Sequence, residues 1–208
     1  MWVSRPSQAA EGFLEQACIG GSALGRKIFI SYRREDSKHA VGRLYEALKK
    51  HVSDPRRDIF MDIDDIPRGV DYVDYLGNKV AECDVLFAVI GPAWLTVTDP
   101  KTGARRLDQA NDFVRIEIAE ALRRGIPVVP LFLDDTGAPV EADLPDSLKP
   151  LHRRNGDRLR HESFDADVAR LMRSLPEAKP KPPPPLRARA EPETRARLIF
   201  KAAAILRR

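Results

Sequence analysis

Ser31, Tyr32, Arg33 and Arg34 follow directly on a short apolar run, Ile28 to Ile30. A buried parallel strand ends this way when its carboxyl edge delivers polar groups to a site. Arg33 and Arg34 are forked cations of the kind that suits a phosphate-bearing ligand. The competing reading is a solvated charge cluster at a strand end. A second apolar run, Val85 to Ile90, breaks into Gly91, Pro92, Ala93 and Trp94, where the indole either stacks on a base or packs as a lid. Asp62, Asp64 and Asp65 form an acidic cluster of the sort that binds hard cations, but the Gly and distal Glu of a calcium loop are missing, so no metal site is expected. His39, His51, His152 and His161 have no nucleophile or ligand partner readable from the chain.

Alternating strands and helices between Arg26 and Leu175 must position these groups. The spacing predicts strands over Lys27–Tyr32, Asp58–Met61, Val85–Ile90 and Ile126–Leu133, with a weak fifth edge strand around Arg158–His161. Helices are expected over about Ser37–Lys50, starting at Asp36 or Ser37, then Val73–Cys83, Asp112–Arg124 with Gly125 as its stop, and a last helix capped by Asp165. In that last helix Val168, Leu171, Met172 and Leu175 recur at helical spacing. Such units imply an α/β fold, a doubly wound parallel sheet of four to five strands with helices on both faces. The right-handed crossover rule favours a flavodoxin-like order, 2-1-3-4. In that order ligands bind where the winding reverses, between strands one and three, which gathers Arg33, Arg34, Gly91 and Trp94 at one crevice.

Charge is unevenly spread. Residues 176–208 hold nine Lys/Arg against three Asp/Glu, a net of +6, so the +4 of the whole chain leaves residues 1–175 at −2. A nucleic-acid domain would carry its excess on a folded face, so that class is set aside. Cys18 and Cys83 are too few for a disulfide framework and lack metal-ligand spacing, and no run of 18 apolar residues exists; the chain reads as cytoplasmic. Residues 1–25 read as a loose leader and 176–192 as a Pro-rich linker. Residues 193–208 read as a short basic amphipathic helix or a disordered tail, the helix suited to an anionic membrane surface or a partner helix.

Five blocks carry a resemblance: Phe29 to Arg34, Phe60 to Gly69, Cys83 to Trp94, Asp112 to Ile118, and Ile126 to Leu131. In this order and spacing the chain, over about residues 26–175, resembles the Toll/interleukin-1 receptor (TIR) domain family in its bacterial form. The resemblance implies cleavage of the nicotinamide–ribose bond of NAD+, with NAD+ as substrate and no resident cofactor. It places the catalytic carboxylate at Glu117 and a binding set at Ser31, Arg33, Arg34, Trp94, Phe113 and Tyr72. It also implies self-association through TIR–TIR contacts and contacts with other TIR domains, made by the loop after strand two. The alternative within the family is a non-catalytic adaptor or effector that works by homotypic contact alone. A response-regulator domain shares the topology but needs a phosphorylatable Asp after the third strand, where this chain has Gly91.

One carboxylate is chemically sufficient for that reaction. Most glycoside hydrolysis needs a second carboxyl group to protonate the leaving oxygen. Nicotinamide departs from a positively charged ring and leaves neutral, so the remaining demand is a negative group beside the oxocarbenium-like transition state. Phe113 lies four residues before Glu117 and shares its helix face. Val114, Ile118 and Ala121 form the stripe expected to bury against the sheet, which makes Glu117, by periodicity alone, an exposed glutamate beside Arg115, Glu120 and Arg124.

Overall fold

The computed structural model describes residues 25–61, 69 and 72–176, the side chains of residues 72–74 excepted. Five strands, β1 (Ile28–Ser31), β2 (Ile59–Met61), β3 (Val85–Ile90), β4 (Val128–Leu133) and β5 (Asp157–Leu159), pair in parallel in the order β2-β1-β3-β4-β5. The helices are α1 (Arg34–Leu48), a single turn α2 (Pro55–Asp58), α3 (Tyr72–Glu82), α4 (Phe113–Arg123) and α5 (Phe164–Ser174). This is the flavodoxin-like order expected from the sequence. The edge strand is present too, one residue earlier than expected, with Leu133 opposite Leu159.

Strand alternation divides the core into two layers. Ile28, Ile30, Val85, Phe87 and Val89 face α1 and α5, where Val41, Leu44, Leu48, Val168 and Leu171 complete one buried cluster. Phe29, Leu86, Ala88 and Ile90 face the other way and join Leu76, Val80, Val114, Ile118 and Ala121 of α3 and α4. Side chains two apart on a strand share a face, so an apolar strand buried on both sides feeds both layers at once. Each fully buried Leu, Ile or Phe contributes roughly 1.5–3 kcal/mol relative to exposure.

Two helix starts differ from the sequence reading. α1 begins at Arg34, before Asp36 and Ser37, because neither of those side chains caps it. Ser37 Oγ donates back to the Arg33 carbonyl, and the Asp36 carboxylate reaches across to the loop after β3. α5 begins at Phe164 with Ser163 at the cap position, and Asp165 lies within the first turn. Its neighbour Asp167, buried, receives Ser163 Oγ, Arg160 N and Arg170 Nη1, and so ties the end of β5 to α5. The expected leader, Pro-rich linker and basic helix lie outside the described residues, apart from Gly25 and Pro176. Among the described residues no helix is long and apolar enough to cross a membrane.

Candidate functional site

The alternation that builds the sheet continues past the end of β1. Phe29, Ser31 and Arg33 fall on the α4 side, whereas Tyr32 packs into the α1 layer. Arg33 keeps an extended backbone at the cap position of α1, so its side chain still obeys strand geometry. Arg34, one residue later, is the first residue of α1 and is exposed. The two neighbouring arginines therefore part company.

Glu117 meets Ser31 in the interior. Ser31 Oγ donates to Glu117 Oε2 at 2.6 Å, and Glu117 is 5% exposed. That corrects the expectation of an exposed glutamate. Val114, Glu117, Ile118 and Ala121 are the buried residues of α4, at offsets 0, 3, 4 and 7. Glu117 completes the stripe that Val114, Ile118 and Ala121 begin, and reading the full heptad would have found it. A buried carboxylate is tolerated only with polar partners, and a hydroxyl donor at this distance is a short, charge-assisted bond.

Arg33 also departs from its expected role. Its guanidinium is 1% exposed and grips Asp112 with both ends, Nη1 to Oδ2 at 2.9 Å and Nη2 to Oδ1 at 3.0 Å, while Nε donates to the Trp94 carbonyl at 3.1 Å. A fork so engaged is not presented to a phosphate in this conformation. Asp112 does double duty, since its Oδ1 also caps α4 by accepting from Arg115 N at 3.0 Å. Arg106 Nε stands 3.4 Å from the same carboxylate and its Nη1 pairs with Glu35 on α1.

Trp94 is 0% exposed and belongs to the α4-side core, which makes it a packing lid rather than a stacking surface. The Gly91 turn is occupied by the protein's own anion: Asp36 Oδ2 accepts from Gly91 N at 2.9 Å and Oδ1 from Ala93 N at 2.8 Å. A Cβ at position 91 would lie 2.4 Å from Asp36 Oδ2, so only glycine fits. Phe113, half-buried, packs one turn ahead of Glu117 at the rim of the same cluster. Tyr72 opens α3, and its side chain lies outside what is described, as do Asp62, Asp64 and Asp65.

The structure thus brings Ser31, Phe113 and Glu117 together at the carboxyl end of β1 and leaves Arg34 exposed beside them in sequence. It withdraws Arg33, Gly91 and Trp94 into the supporting framework. Asp36, Glu35, Arg106 and Asp112 are the framework residues that sequence reasoning missed, since partners 55 to 79 residues apart leave no local pattern. Among the described residues no group of three His, Cys, Asp or Glu is placed to hold a metal.

A surface groove of about 980 Å³ lies elsewhere, along the outer face of α4 between Gly77 and Asn78 of α3 and Ser147 and Pro150. Arg115, Ile116, Ala119, Glu120 and Arg123 line it and Glu117 does not. Its Glu120 carboxylate is held down to about 2, first by the Arg123 hydrogen bond, which outweighs the opposing effect of burial, and then by the Arg124 hydrogen bond and the charges of both arginines. That is the signature of a surface ion-pair cluster, and the buried polar contacts at β1 make the stronger case for chemistry.

A family model described as the TIR domain matches residues 28–172. A search of curated proteins finds no match. Among solved structures, the TIR domains of the activated Roq1 resistosome that recognises the effector XopQ align at 16% identity and a TM-score of 0.46, over 71% of this chain and 95% of that one. A TIR-STING receptor from C. gigas, solved with 2',3'-cGAMP, aligns at 17% identity and a TM-score of 0.45, over 76% of this chain and 41% of that one. A prokaryotic SEFIR domain aligns at 18% identity and a TM-score of 0.46, over 71% of this chain and 96% of that one. The family match spans well over half of the sequence, and on it the chain belongs to the TIR domain family.

Proposed function

We propose that this TIR domain hydrolyses NAD+ at the nicotinamide–ribose bond, with Glu117 as the catalytic carboxylate. The observation that carries the reading is a buried carboxylate at the carboxyl end of β1, oriented by the Ser31 hydroxyl at 2.6 Å, in a chain of this family. In the reaction the bond between the ribose C1′ and the pyridinium nitrogen breaks with its electron pair going to nicotinamide, which leaves neutral. The positive charge that develops on the ribose is stabilised by Glu117. Water then adds at C1′ and loses a proton, giving ADP-ribose; attack by a group of the same molecule would give a cyclised product instead. Low local dielectric around Glu117 strengthens its attraction to that charge. Ser31 acts by aiming the carboxylate, and Phe113 offers an aromatic edge one turn away on the same helix.

Arg34 is the exposed cation beside this junction and is assigned to the pyrophosphate or distal ribose. The loop after β2 is assigned to contact between copies, with activity rising as protomers assemble. Gly69 within it sits at φ +84°, a conformation that side-chain-bearing residues rarely adopt. Incubating the purified protein with NAD+ at high concentration tests the whole reading. Nicotinamide should appear with the parent and not with Glu117→Ala; release at equal rates from both would overturn it.

A further inference from the structure

Two rungs join β1 to α4, and their spacings match. Ser31 and Arg33 are two residues apart on extended chain, roughly 6.6 Å along the strand. Glu117 and Asp112 are five residues apart on the α4 side, roughly 7.5 Å along the helix axis. The helix runs antiparallel to the strand, so the outer residue of one, Arg33, meets the outer residue of the other, Asp112, while Ser31 meets Glu117. The apolar stripe of Val114, Ile118 and Ala121 holds α4 to the sheet but is non-directional, and by itself tolerates a slide or rotation of the helix. A bidentate guanidinium–carboxylate pair has one good geometry. Being 1% exposed on both sides, it has no water to compensate for a misfit.

We infer that Arg33 and Asp112 are a positioning pair for the catalytic site: their fork sets the height and rotation of α4, and so delivers the Glu117 carboxylate to Ser31. The inference rests on the catalytic reading of Glu117 and adds to it two residues that do not touch substrate. Buried ion pairs are seldom retained for net stability over an apolar pair, and fixing register is their best-attested use. The Nε bond to the Trp94 carbonyl extends the same fixation to the loop after β3, and Asp36 on Gly91 and Ala93 anchors that loop a second time.

Arg33→Lys keeps the charge and removes the fork, and Asp112→Ser keeps a helix cap but is too short to receive Arg33. Asp112→Asn keeps cap, volume and one neutral acceptor, and serves as the conservative rescue that folds if the others do not. Turnover and the Michaelis constant for nicotinamide release are measured in each variant. In parallel, the Glu117 carboxyl is titrated by ¹³C NMR in glutamate-labelled protein, with its signal identified by its loss in Glu117→Gln. Arg33→Lys and Asp112→Ser should lower kcat by about a hundredfold with KM within about twofold, the penalty of an ångström-scale misplacement. The Glu117 titration midpoint should move by about half a unit or more as its Ser31 bond loosens, and Asp112→Asn, which keeps one of the two prongs, should fall between these variants and the parent in both. Folded variants with parental kcat and an unmoved titration would overturn the inference. If the parent itself releases no nicotinamide, the catalytic reading fails, while the titration still decides whether the pair positions Glu117.

Discussion

One turn of helix separates Glu117 from Glu120, and the two carboxylates occupy different chemical worlds. Glu117 faces inward, 5% exposed, and accepts from the neutral Ser31 hydroxyl. Glu120 faces outward, gripped by Arg123 and Arg124, its side chain 20% exposed. The outer carboxylate is locked in its ionised form and its charge is cancelled on the spot. The inner one has a hydroxyl rather than a guanidinium as its Ser31 partner, and Arg33, two residues further along the chain, is bound to Asp112 instead. A site that must stabilise a transient cation needs the second arrangement. A groove of about 980 Å³ follows the outer face, so the presence of a cavity points to Glu120 rather than to Glu117.

The sharpest break of this comparison is a paired substitution. Glu117→Gln keeps shape and the Ser31 contact while removing the charge, and should cut nicotinamide release by a factor of about 10² to 10³ or more. Glu120→Gln should leave the rate within twofold of the parent. Equal losses in both would mean that α4 matters only as a packed helix. Glu117→Ala should add a stability loss of about 1–3 kcal/mol, since it leaves the buried Ser31 hydroxyl without its acceptor. Denaturant titration of the two Glu117 variants separates these effects.

The neighbouring arginines repeat the contrast between buried and exposed charge. Arg33→Ala abandons Asp112 in the interior, where breaking a buried pair costs about 3–5 kcal/mol. For a domain of this size that lowers Tm by roughly 6–20 °C. Arg34→Ala should change stability by no more than about 0.5 kcal/mol and act instead on the Michaelis constant for NAD+, which should rise more than turnover falls. A Tm loss shared equally by the two variants would erase the distinction.

How far the sequence carried this result follows from where each residue's partners lie. The sheet order was legible because apolar runs such as Val85–Ile90 and the α5 stripe of Val168, Leu171 and Met172 are local patterns. Arg33 and Arg34 look alike in sequence. The boundary between extended and helical backbone falls between them, and capping rules placed it at Asp36 or Ser37 because those residue types usually serve their own helix. Here Asp36 serves a loop 55 residues away, a long-range demand that local propensity does not encode. Glu117 was misplaced for the opposite reason. Its position was readable from the heptad, but a charged residue type argued against burial until the Ser31 partner was in view.

Assembly offers a milder test, away from both carboxylates. Gly69 sits at φ +84°, and a Cβ there would meet nothing within 4 Å among the described residues, so Gly69→Val is tested as a change that strains the backbone. That strain costs roughly 1–3 kcal/mol if the turn is kept, or reshapes the loop if it is not. The variant should lower the thermal transition by roughly 2–12 °C if the turn is kept, and lose the rise in specific activity with concentration. Specific activity of the parent that stays flat over a hundredfold dilution would argue against activation by assembly altogether.

The smallest expected effect belongs to the outer face and is read by pH. The Glu120 carboxyl titrates at about 2 in the folded protein against an ordinary 4.5, because Arg123 and Arg124 favour its ionised form. A depressed folded value means that the unfolded chain takes up the proton first as acid is added. The stabilisation is therefore complete above about pH 5, shrinks as pH falls below 4.5, and is gone near pH 2. Partial exposure of both arginines limits the contribution to about 1 kcal/mol, the upper end for surface pairs, and added salt should reduce it further. Urea titrations of the parent and Glu120→Gln should thus differ by that amount at pH 7 and converge between pH 4 and 2. A gap that persists at pH 2 would show that Glu120 stabilises the domain through packing, and would weaken the contrast drawn between the two faces of α4.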